Sequence, residues 1–374
     1  MPVWGDDPAV LRCDHRPSAG GPGPGGDPPA GARPVAEILA WSRRLLDPAL
    51  RDVVESLPDT MRGIAAYHFG WREERGHRPG GGDAGPAGKA IRPALTLLTA
   101  RAVGGTAEAA LSAAVAVELA HNFSLLHDDV MDGDLTRRHR PTAWSVFGTG
   151  AAVLTGDALL AAAFEALSHG PAGVVPRAVR TLGRAVAELV EGQSADLAFE
   201  ERGDVTLDEC VTMAGRKTGA LLGAACALGA DHGTGDGAAA RTARLRAFGE
   251  RLGLAFQLAD DLLGIWGDPA VTGKPVHADL RARKKSLPVV AALTSATPAA
   301  AELAALYLRG DPLTGDEAAR AAVLIDAAGG RAWAAARADA VLTAALHDLN
   351  AAAPAPVPAA ELRALARLIA HRDH

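Results

Sequence analysis

Three carboxylates in one short segment are the residues of this chain best suited to chemistry. Asp128, Asp129 and Asp132 follow a mostly apolar stretch, at relative positions i, i+1 and i+4. On a helix that turns about 100° per residue, their side chains share one arc of roughly 100° and point into the same space. Clustered carboxylates repel one another unless a cation lies between them, and Mg²⁺ is a hard cation that prefers oxygen ligands. The spacing therefore predicts a metal site.

A second acidic pair stands in a similar setting. Asp260 and Asp261 follow the mostly apolar segment 254–259, and Asp268 lies further along the chain. Two acidic faces of this kind suggest a site that binds phosphate through more than one metal ion.

Composition indicates what kind of fold must hold these residues. The chain has 374 residues, of which 48% are hydrophobic and 4% aromatic, and Ala and Leu dominate. This composition favours helices, and the length suits one large domain or two small ones. We predict an all-α protein with a single catalytic domain. The net charge of −6 gives no reason to expect a nucleic-acid partner.

Cysteine usage and the chain start bear on the compartment. Cys13, Cys210 and Cys226 are odd in number and widely spaced, so neither a disulfide framework nor a zinc site is indicated. The first residues lack the basic and apolar regions of an export signal, so we expect a cytoplasmic protein. The longest nearly uncharged apolar run, 218–230, is too short to span a bilayer, and no transmembrane segment is predicted.

The chain divides into a tail and a body. Gly and Pro make up 15 of the first 34 residues, which predicts a disordered tail over 1–34 and a globular body over 35–374. Helical patterning begins near Val35. Helices are predicted over residues 107–132, 142–168, 175–199, 207–230, 238–266 and 287–296, with another beginning near 89–93 and three or four shorter ones over 299–372.

With these motifs in order, the chain resembles the trans-polyprenyl diphosphate synthases, the isoprenoid family that makes farnesyl and geranylgeranyl diphosphate. The resemblance covers about residue 35 to the C-terminus. It implies the isoprenoid synthase fold, a single large helical bundle around a central cavity, and a homodimer. It also implies two or three Mg²⁺ ions that bridge the protein to the diphosphate of an allylic substrate. The metal ligands would come from the two acidic motifs: Asp128, Asp129, Asp132, Asp260 and Asp261.

The resemblance also implies two sets of substrate contacts. Arg137, Lys217 and Lys274 match family positions that contact the allylic diphosphate, and the oxygens of Thr218 and Gln257 would face the cationic carbon. The second substrate, isopentenyl diphosphate, would bind without metal. Its implied site consists of Lys89, Arg92, His121 and Arg138, of which the first two lie at a predicted helix start whose free N–H groups favour anions.

The implied reaction agrees with the residue types. Ionisation of the allylic C–O bond leaves a carbocation and diphosphate, so metals and fixed cations should stabilise the leaving group. The double bond of isopentenyl diphosphate then attacks the cation, and a proton is lost to the released diphosphate. Simpler interpretations remain for single residues: His121 could be a core histidine, the segment 137–140 a solvated basic turn, and 281–285 a flexible basic loop, although the family has a substrate-closing lysine near Lys284.

Several positions depart from the family pattern or concern product length. Gly264 stands where a third aspartate of the second motif is usual, and Asp268 is not counted as its replacement, because Gly267 and Pro269 indicate that the helix ends there. His139 occupies a position that is commonly glycine.

Phe123 and Ser124, about one turn before the first motif, would form the floor under the growing tail. An aromatic residue beside a small one resembles synthases that stop at C20, so geranylgeranyl diphosphate is the expected product, with farnesyl diphosphate also compatible.

Two other functions remain open from the sequence. A class I terpene cyclase also ionises an allylic diphosphate with Mg²⁺, but it needs no second diphosphate site. A non-catalytic subunit is the other alternative, because of Gly264. The Gly/Pro-rich tail could be a linker, or its short apolar islands could dock the enzyme to a terpene synthase or to a protein shell.

Overall fold

A computed structural model describes residues 29–72, 88–234, 239–268, 276–307, 309 and 313–371. Within these residues the chain is all-α, which confirms the predicted class, except for one antiparallel ribbon. The helices in chain order are α1 (Val35–Glu55), α2 (Asp59–His68), α3 (Ile91–Ala102), α4 (Leu111–Met131), α5 (Ala143–Phe147), α6 (Thr149–Ser168), α7 (Val175–Glu201), α8 (Leu207–Ala214), α9 (Ala220–Thr234), α10 (Ala239–Trp266), α11 (Ala278–Arg281), α12 (Leu287–Leu293), α13 (Pro298–Tyr307), α14 (Gly315–Ala327), α15 (Gly330–Ala351) and α16 (Pro356–Ala370). The ribbon pairs β1 (Thr136–Arg137) with β2 (Arg140–Pro141).

Two predicted helices are interrupted in the structure. The segment 142–168 forms α5 and α6, because Gly148 between them has a φ of 88°, a left-handed value that no helix continues through. The segment 207–230 forms α8, a π-helical turn over Gly215–Gly219 and then α9. A π-turn widens the helix locally, and such turns occur frequently at functional sites.

Two large apolar clusters form the interior. One is built mainly from α1, α2, α4, α6 and α7, and the other from α3, α9, α10, α15 and α16. Small residues let these helices approach closely. A Cβ atom on Gly229 of α9 would lie 2.1 Å from the carbonyl oxygen of Thr96 in α3, and one on Gly249 of α10 would lie 2.4 Å from that of Leu222. The backbone contacts of the central helices therefore depend on glycine.

Among the residues that the structure describes, two helices are long and apolar enough to cross a membrane by length and composition alone, Glu108–Met131 and Thr149–Ser168. The bent pair α12 and α13 would add a third if it were one span. The expectation of no transmembrane segment rested on the run 218–230 and did not consider these two helices; it stays a prediction, since the criterion concerns length and composition only. In the structure, 72% and 44% of the two apolar windows are buried inside the protein. The first of them ends in the acidic motif that begins at Asp128.

The N-terminal side of the body is fixed by an ion pair. Arg33 donates from Nε to Oε1 of Glu361 at 2.7 Å and from Nη2 to Oε2 at 2.8 Å, and Glu361 is fully buried in α16. The guanidinium also lies 4.0 Å from the ring centre of Trp41. The contacts of the body thus begin just before Val35, inside the predicted tail, while residues 1–28 lie outside the described residues.

Candidate active site

A cavity of about 510 Å³ lies between α3, α4, α7, α9 and α10, next to the ribbon. Its lining contains ten of the predicted site residues: Lys89, Arg92, His121, Ser124, Asp128, Arg137, Arg138, Lys217, Thr218 and Asp260. Five others are not on that lining: Phe123, Asp129, Asp132, Gln257 and Asp261. Lys274 lies outside the described residues.

The helix α4 carries one wall of the cavity. His121, Ser124, Leu125 and Asp128 all line it, at i, i+3, i+4 and i+7, which is one face of a helix. Burial, assisted by the neighbouring Asp132 and opposed by the Lys217 ammonium, raises the pKa of Asp128 to about 6.

The other two carboxylates of the first motif do not line the cavity. Asp129 is 1% exposed, and its Oδ1 accepts a hydrogen bond of 2.6 Å from Nε of Arg137. Burial raises the pKa of Asp129 to about 6 although Arg137 opposes the shift. Asp132 is exposed at the end of α4, where its Oδ1 lies 3.4 Å from the amide nitrogen of Gln193. The spacing predicted that all three carboxylates point into one space. In the structure, only Asp128 lines the cavity.

The two aspartates of the second motif also differ in position: one lines the cavity and the other does not. Asp260 lines the cavity opposite α4. Asp261 is 3% exposed; its Oδ2 accepts from the backbone N–H of Leu287 at 2.9 Å and its Oδ1 from the amide of Gln257 at 2.7 Å. Burial raises the pKa of Asp261 to about 7. In this arrangement Asp261 fixes the start of α12, and the structure does not bring it to the cavity.

A hydrogen-bond chain links the π-turn to the second motif. The hydroxyl of Thr218 donates to Oε1 of Gln257 at 2.7 Å, and the amide of Gln257 donates in turn to Asp261. Of the two side chains expected to face a cationic carbon, only Thr218 lines the cavity. Gln257 acts here by orienting the Thr218 hydroxyl.

The donor chemistry fits Mg²⁺, although no ready-made cluster is present. Among the described residues, no group of three His, Cys, Asp or Glu side chains lies close enough to hold a metal ion. Asp128 and Asp260 nevertheless face one cavity, and Oδ2 of Asp129 is buried without a hydrogen-bond partner. Buried carboxylates with raised pKa values favour a bound cation, because it stabilises their ionised form.

Lys217 brings a positive charge to the acidic wall. Its Nζ donates to Oδ2 of Asp196 on α7 at 2.5 Å, and the ammonium lowers the pKa of Asp196 against the effect of burial. The π-turn reaches α7 because position 192 is glycine: a Cβ there would lie 2.4 Å from the backbone nitrogen of Lys217. Asp196 was not predicted from the sequence. The sequence feature that could have indicated it is a carboxylate four residues after Gly192, on a helix with an apolar face.

The part of the lining around His121, with Arg92 and Arg138, is called the basic end. Nη1 of Arg92 lies 3.1 Å from Nε2 of His121. Since a guanidinium can only donate, this nitrogen accepts and the imidazole is neutral. Burial and the charges of Arg92 and Arg138 lower the pKa of His121 well below its ordinary value. Glu118, one turn earlier on α4, also lines this end, and burial raises its pKa. This residue was not predicted from the sequence. A charged residue within an apolar run is the feature that could have indicated it.

The ribbon places Arg137 and Arg138 at the cavity. Arg138 and His139 form its turn with φ values of 52° and 61°, which explains why glycine is suited to the position of His139. Arg140 holds the ribbon to the end of α2, donating to the carbonyl oxygens of Tyr67 at 2.9 Å and Arg72 at 3.0 Å. The basic segment is therefore a folded hairpin, and its first two arginines reach the cavity.

Of the two residues predicted to form the floor of the cavity, only one lines it. Ser124 lines it, whereas the ring of Phe123 packs edge-on against His127 with 4.7 Å between ring centres. His127 lies 3.0 Å from the carbonyl oxygen of Val153 in α6, so Phe123 faces that helix. The large apolar side chains of the lining come instead from five helices: Ile91, Leu125, Leu189, Leu222 and Phe256.

The basic segment 281–285 contains two engaged lysines. Lys285 is 5% exposed and donates from Nζ to the carbonyl oxygens of Phe199 at 2.7 Å and Glu200 at 3.1 Å, at the end of α7. Burial opposes the charge of Lys284, but nearby carboxylates outweigh it and raise its pKa. In the structure, Lys285 ties this segment to the end of α7.

Comparison with known proteins identifies the family of this chain. The family model of polyprenyl synthetases matches residues 83–323. The chain is 44% identical over 346 residues to the (2E,6E)-farnesyl diphosphate synthase of Mycobacterium tuberculosis, covering 91% of this chain and 94% of that protein. It is 46% identical over 338 residues to the geranylgeranyl diphosphate synthase of the same organism, covering 90% and 93%. The solved polyprenyl synthetase of Streptomyces coelicolor A3(2) has a TM-score of 0.82 and 44% identity, covering 90% of this chain and 99% of that one. The chain therefore belongs to the polyprenyl synthetase family of prenyltransferases.

Proposed function

We propose that this prenyltransferase uses Mg²⁺ to condense isopentenyl diphosphate with an allylic diphosphate, giving a short-chain trans-polyprenyl diphosphate. The observation that carries the proposal is the polarity of one cavity. Asp128, Asp260 and Lys217 line its acidic end, while Arg92 and Arg138 line an end that needs no metal to bind an anion.

Each end has a distinct task. Asp128 and Asp260, with Asp129 and Asp132 next to the first of them, would hold Mg²⁺, which supplies electrostatic stabilisation of the departing diphosphate. Lys217 would add a fixed charge there, exchanging its bond to Asp196 for one to phosphate.

At the basic end, Arg92 and Arg138 orient isopentenyl diphosphate, with Lys89 beside them and the neutral His121 holding the Arg92 guanidinium. The oxygen of Thr218 faces the region where the allylic cation forms. A proton then leaves to the released diphosphate, and the apolar lining excludes water from the cation.

Geranylgeranyl diphosphate is the product we propose, with farnesyl diphosphate as the alternative. Ser124 is small and leaves room beside Leu125, where the lining is apolar. Phe123→Ala should lengthen the product if the ring limits the tail. Because Phe123 packs toward α6, the matched variant Leu189→Ala, on the lining itself, tests the other possible floor. Chromatography after dephosphorylation identifies the side chain that sets the length.

The function is tested by incubating the purified protein with isopentenyl diphosphate, Mg²⁺ and, in turn, dimethylallyl, geranyl and farnesyl diphosphate. Mass spectrometry should detect a longer diphosphate. A hydrocarbon or alcohol would instead support a terpene cyclase, and the absence of turnover would support a non-catalytic subunit. The basic end of the cavity favours elongation, because a cyclase has no second diphosphate to bind.

Two partner proposals extend the function. We propose a homodimer, supported by apolar side chains exposed on α6 and α7: Leu154 is 55% exposed, Val179 37% and Val190 49%.

We also propose that the tail docks the enzyme to a terpene synthase or a protein shell. Deletion of residues 1–28 should then abolish co-purification of that partner and leave turnover intact. Loss of turnover on deletion would contradict docking.

A further inference from the structure

Gly264 leaves a gap in the second acidic motif, and another carboxylate lies in that gap. A Cβ atom added to Gly264 would lie 2.0 Å from Oδ2, 2.5 Å from Cγ and 3.2 Å from Oδ1 of Asp279. Non-bonded carbon and oxygen atoms do not approach so closely in a packed interior. The Asp279 carboxylate therefore occupies the volume that a side chain at position 264 would fill.

Asp279 reaches this volume from a different element. It lies on α11, whereas Gly264 lies near the end of α10, one helical turn beyond Asp260. Residues four apart on a helix are neighbours on one face, with about 5–6 Å between their Cβ atoms. The carboxylate over Gly264 is thus placed one helical turn from Asp260, behind the cavity lining, to which Asp260 belongs and Asp279 does not.

The electrostatics of the surroundings include Asp279 with the motif. Lys284 is held charged by four carboxylates, those of Asp196, Asp279, Asp261 and Asp260, whose attraction outweighs the effect of burial. Asp279 also contributes, after burial, to the raised pKa of Asp261. Asp279 therefore acts on the same charges as the two aspartates of the motif.

We propose that Asp279 supplies from α11 the third carboxylate of the second acidic motif, and that Gly264 provides the space this carboxylate requires. The inference rests on the proposed function, because it assigns Asp279 to the support of the motif that would hold Mg²⁺ and the allylic diphosphate. Asp279 is a positioning residue in this account: it adds negative charge beside Asp260 and orients Lys284. The missing aspartate is then a relocation of the carboxylate within the fold.

The test is calorimetric titration of the full chain with inorganic pyrophosphate in the presence of Mg²⁺, which reports binding without turnover. Asp279→Asn and Asp279→Ala should each weaken binding by about tenfold or more, the usual effect of removing a supporting group at a metal site. Asp316→Ala, on the exposed first turn of α14, is the matched control and should bind as the wild type does.

A reciprocal exchange makes the test specific. Gly264→Asp alone should lower the melting temperature, because the new side chain collides with Asp279. Gly264→Asp combined with Asp279→Ala should restore both the melting temperature and pyrophosphate binding to within about threefold of wild type, since the carboxylate returns to the same place from α10. A role for Asp279 in folding alone would give no recovery of binding.

Wild-type binding by Asp279→Asn would overturn the inference, and so would a folded exchange variant that binds no better than Asp279→Ala. If the exchange variant does not fold, the isosteric Asp279→Asn decides, because it keeps the shape and removes the charge. These outcomes leave the proposed function standing as long as the wild type elongates its substrate. A wild type that neither binds Mg²⁺ with pyrophosphate nor elongates would reject both.

Discussion

His121 is a neutral hydrogen-bond acceptor in this site, so its contribution is to orient Arg92. A protonated imidazole could not accept that bond, and the low pKa of His121 keeps the ring neutral throughout the physiological range.

Replacing His121 should therefore affect the binding of isopentenyl diphosphate and leave chemistry intact. His121→Ala should raise the KM for isopentenyl diphosphate by about 10–100-fold, the value of one hydrogen bond to a charged group. His121→Gln, which offers an acceptor oxygen, should recover much of the loss. Steady-state kinetics from about pH 6 to pH 8 provides the check. A wild-type KM that rises steeply across this range would contradict a neutral histidine.

The raised carboxylate pKa values predict how metal and pH act together. Burial raises the pKa of Asp128 from 3.8 to about 6, so this group stabilises the metal-free fold below its ordinary pKa and ceases to do so as pH rises through about 6. Mg²⁺ requires the ionised form. Thermal unfolding should show a small Mg²⁺-induced rise in melting temperature near pH 5 and a larger one near pH 8.

The Asp128→Asn variant should lose most of that rise at the higher pH. An equal effect of Mg²⁺ at both pH values, or an undiminished effect in the variant, would disconnect the metal from this carboxylate. The exposed Asp208 on α8 offers a control substitution to Asn that should preserve the wild-type response.

At the scale of elements, the active site depends on how closely the π-turn approaches α7. Lys217 and Thr218 both lie on this turn, and both line the cavity. A Cβ on Gly192 would lie 2.4 Å from the backbone of Lys217, so any larger residue separates the two elements. Lys217 and its partner Asp196 would then move apart.

Gly192→Ala should consequently lower stability by about 1–3 kcal/mol, the usual effect of overpacking, and reduce kcat/KM for the allylic substrate more than that for isopentenyl diphosphate. Gly215→Ala is the matched control, because a Cβ there meets nothing within 4 Å. Chemical denaturation and steady-state kinetics measure both effects. Equal behaviour of the two alanine variants would show that the close approach does not matter.

The elements also mark the limit of prediction from sequence. The first motif was expected at the end of a helix, and α4 ends there, because apolar residues and carboxylates follow each other within one segment. The partner of Asp261 was not predictable, since the N–H of Leu287 comes from a separate helix. Phe123 was assigned to the cavity by its distance from the motif, but its direction depends on packing against α6. Local spacing thus identified the helix, and distant contacts decided which side chains reach the site.

For the whole molecule, the exposed apolar side chains of α6 and α7 predict self-association. Leu154→Glu combined with Val190→Glu should convert the dimer to a monomer, because each places a charge on the face that a second copy would cover. Light scattering coupled to size exclusion measures the mass. Val323→Glu, at a residue 57% exposed on α14, is the matched control and should remain dimeric. A monomeric wild type, or a dimer that survives both substitutions, would contradict this interface.

The central claim concerns the two ends of one cavity, and calorimetry with a single substrate at a time tests it most directly, since neither substrate reacts alone. Isopentenyl diphosphate should bind in the presence of a chelator and lose binding in Arg92→Ala. Geranyl diphosphate should bind only with Mg²⁺ and lose binding in Asp128→Asn. If both diphosphates require Mg²⁺, or if neither does, the division of this cavity into a metal-dependent and a metal-free end is wrong.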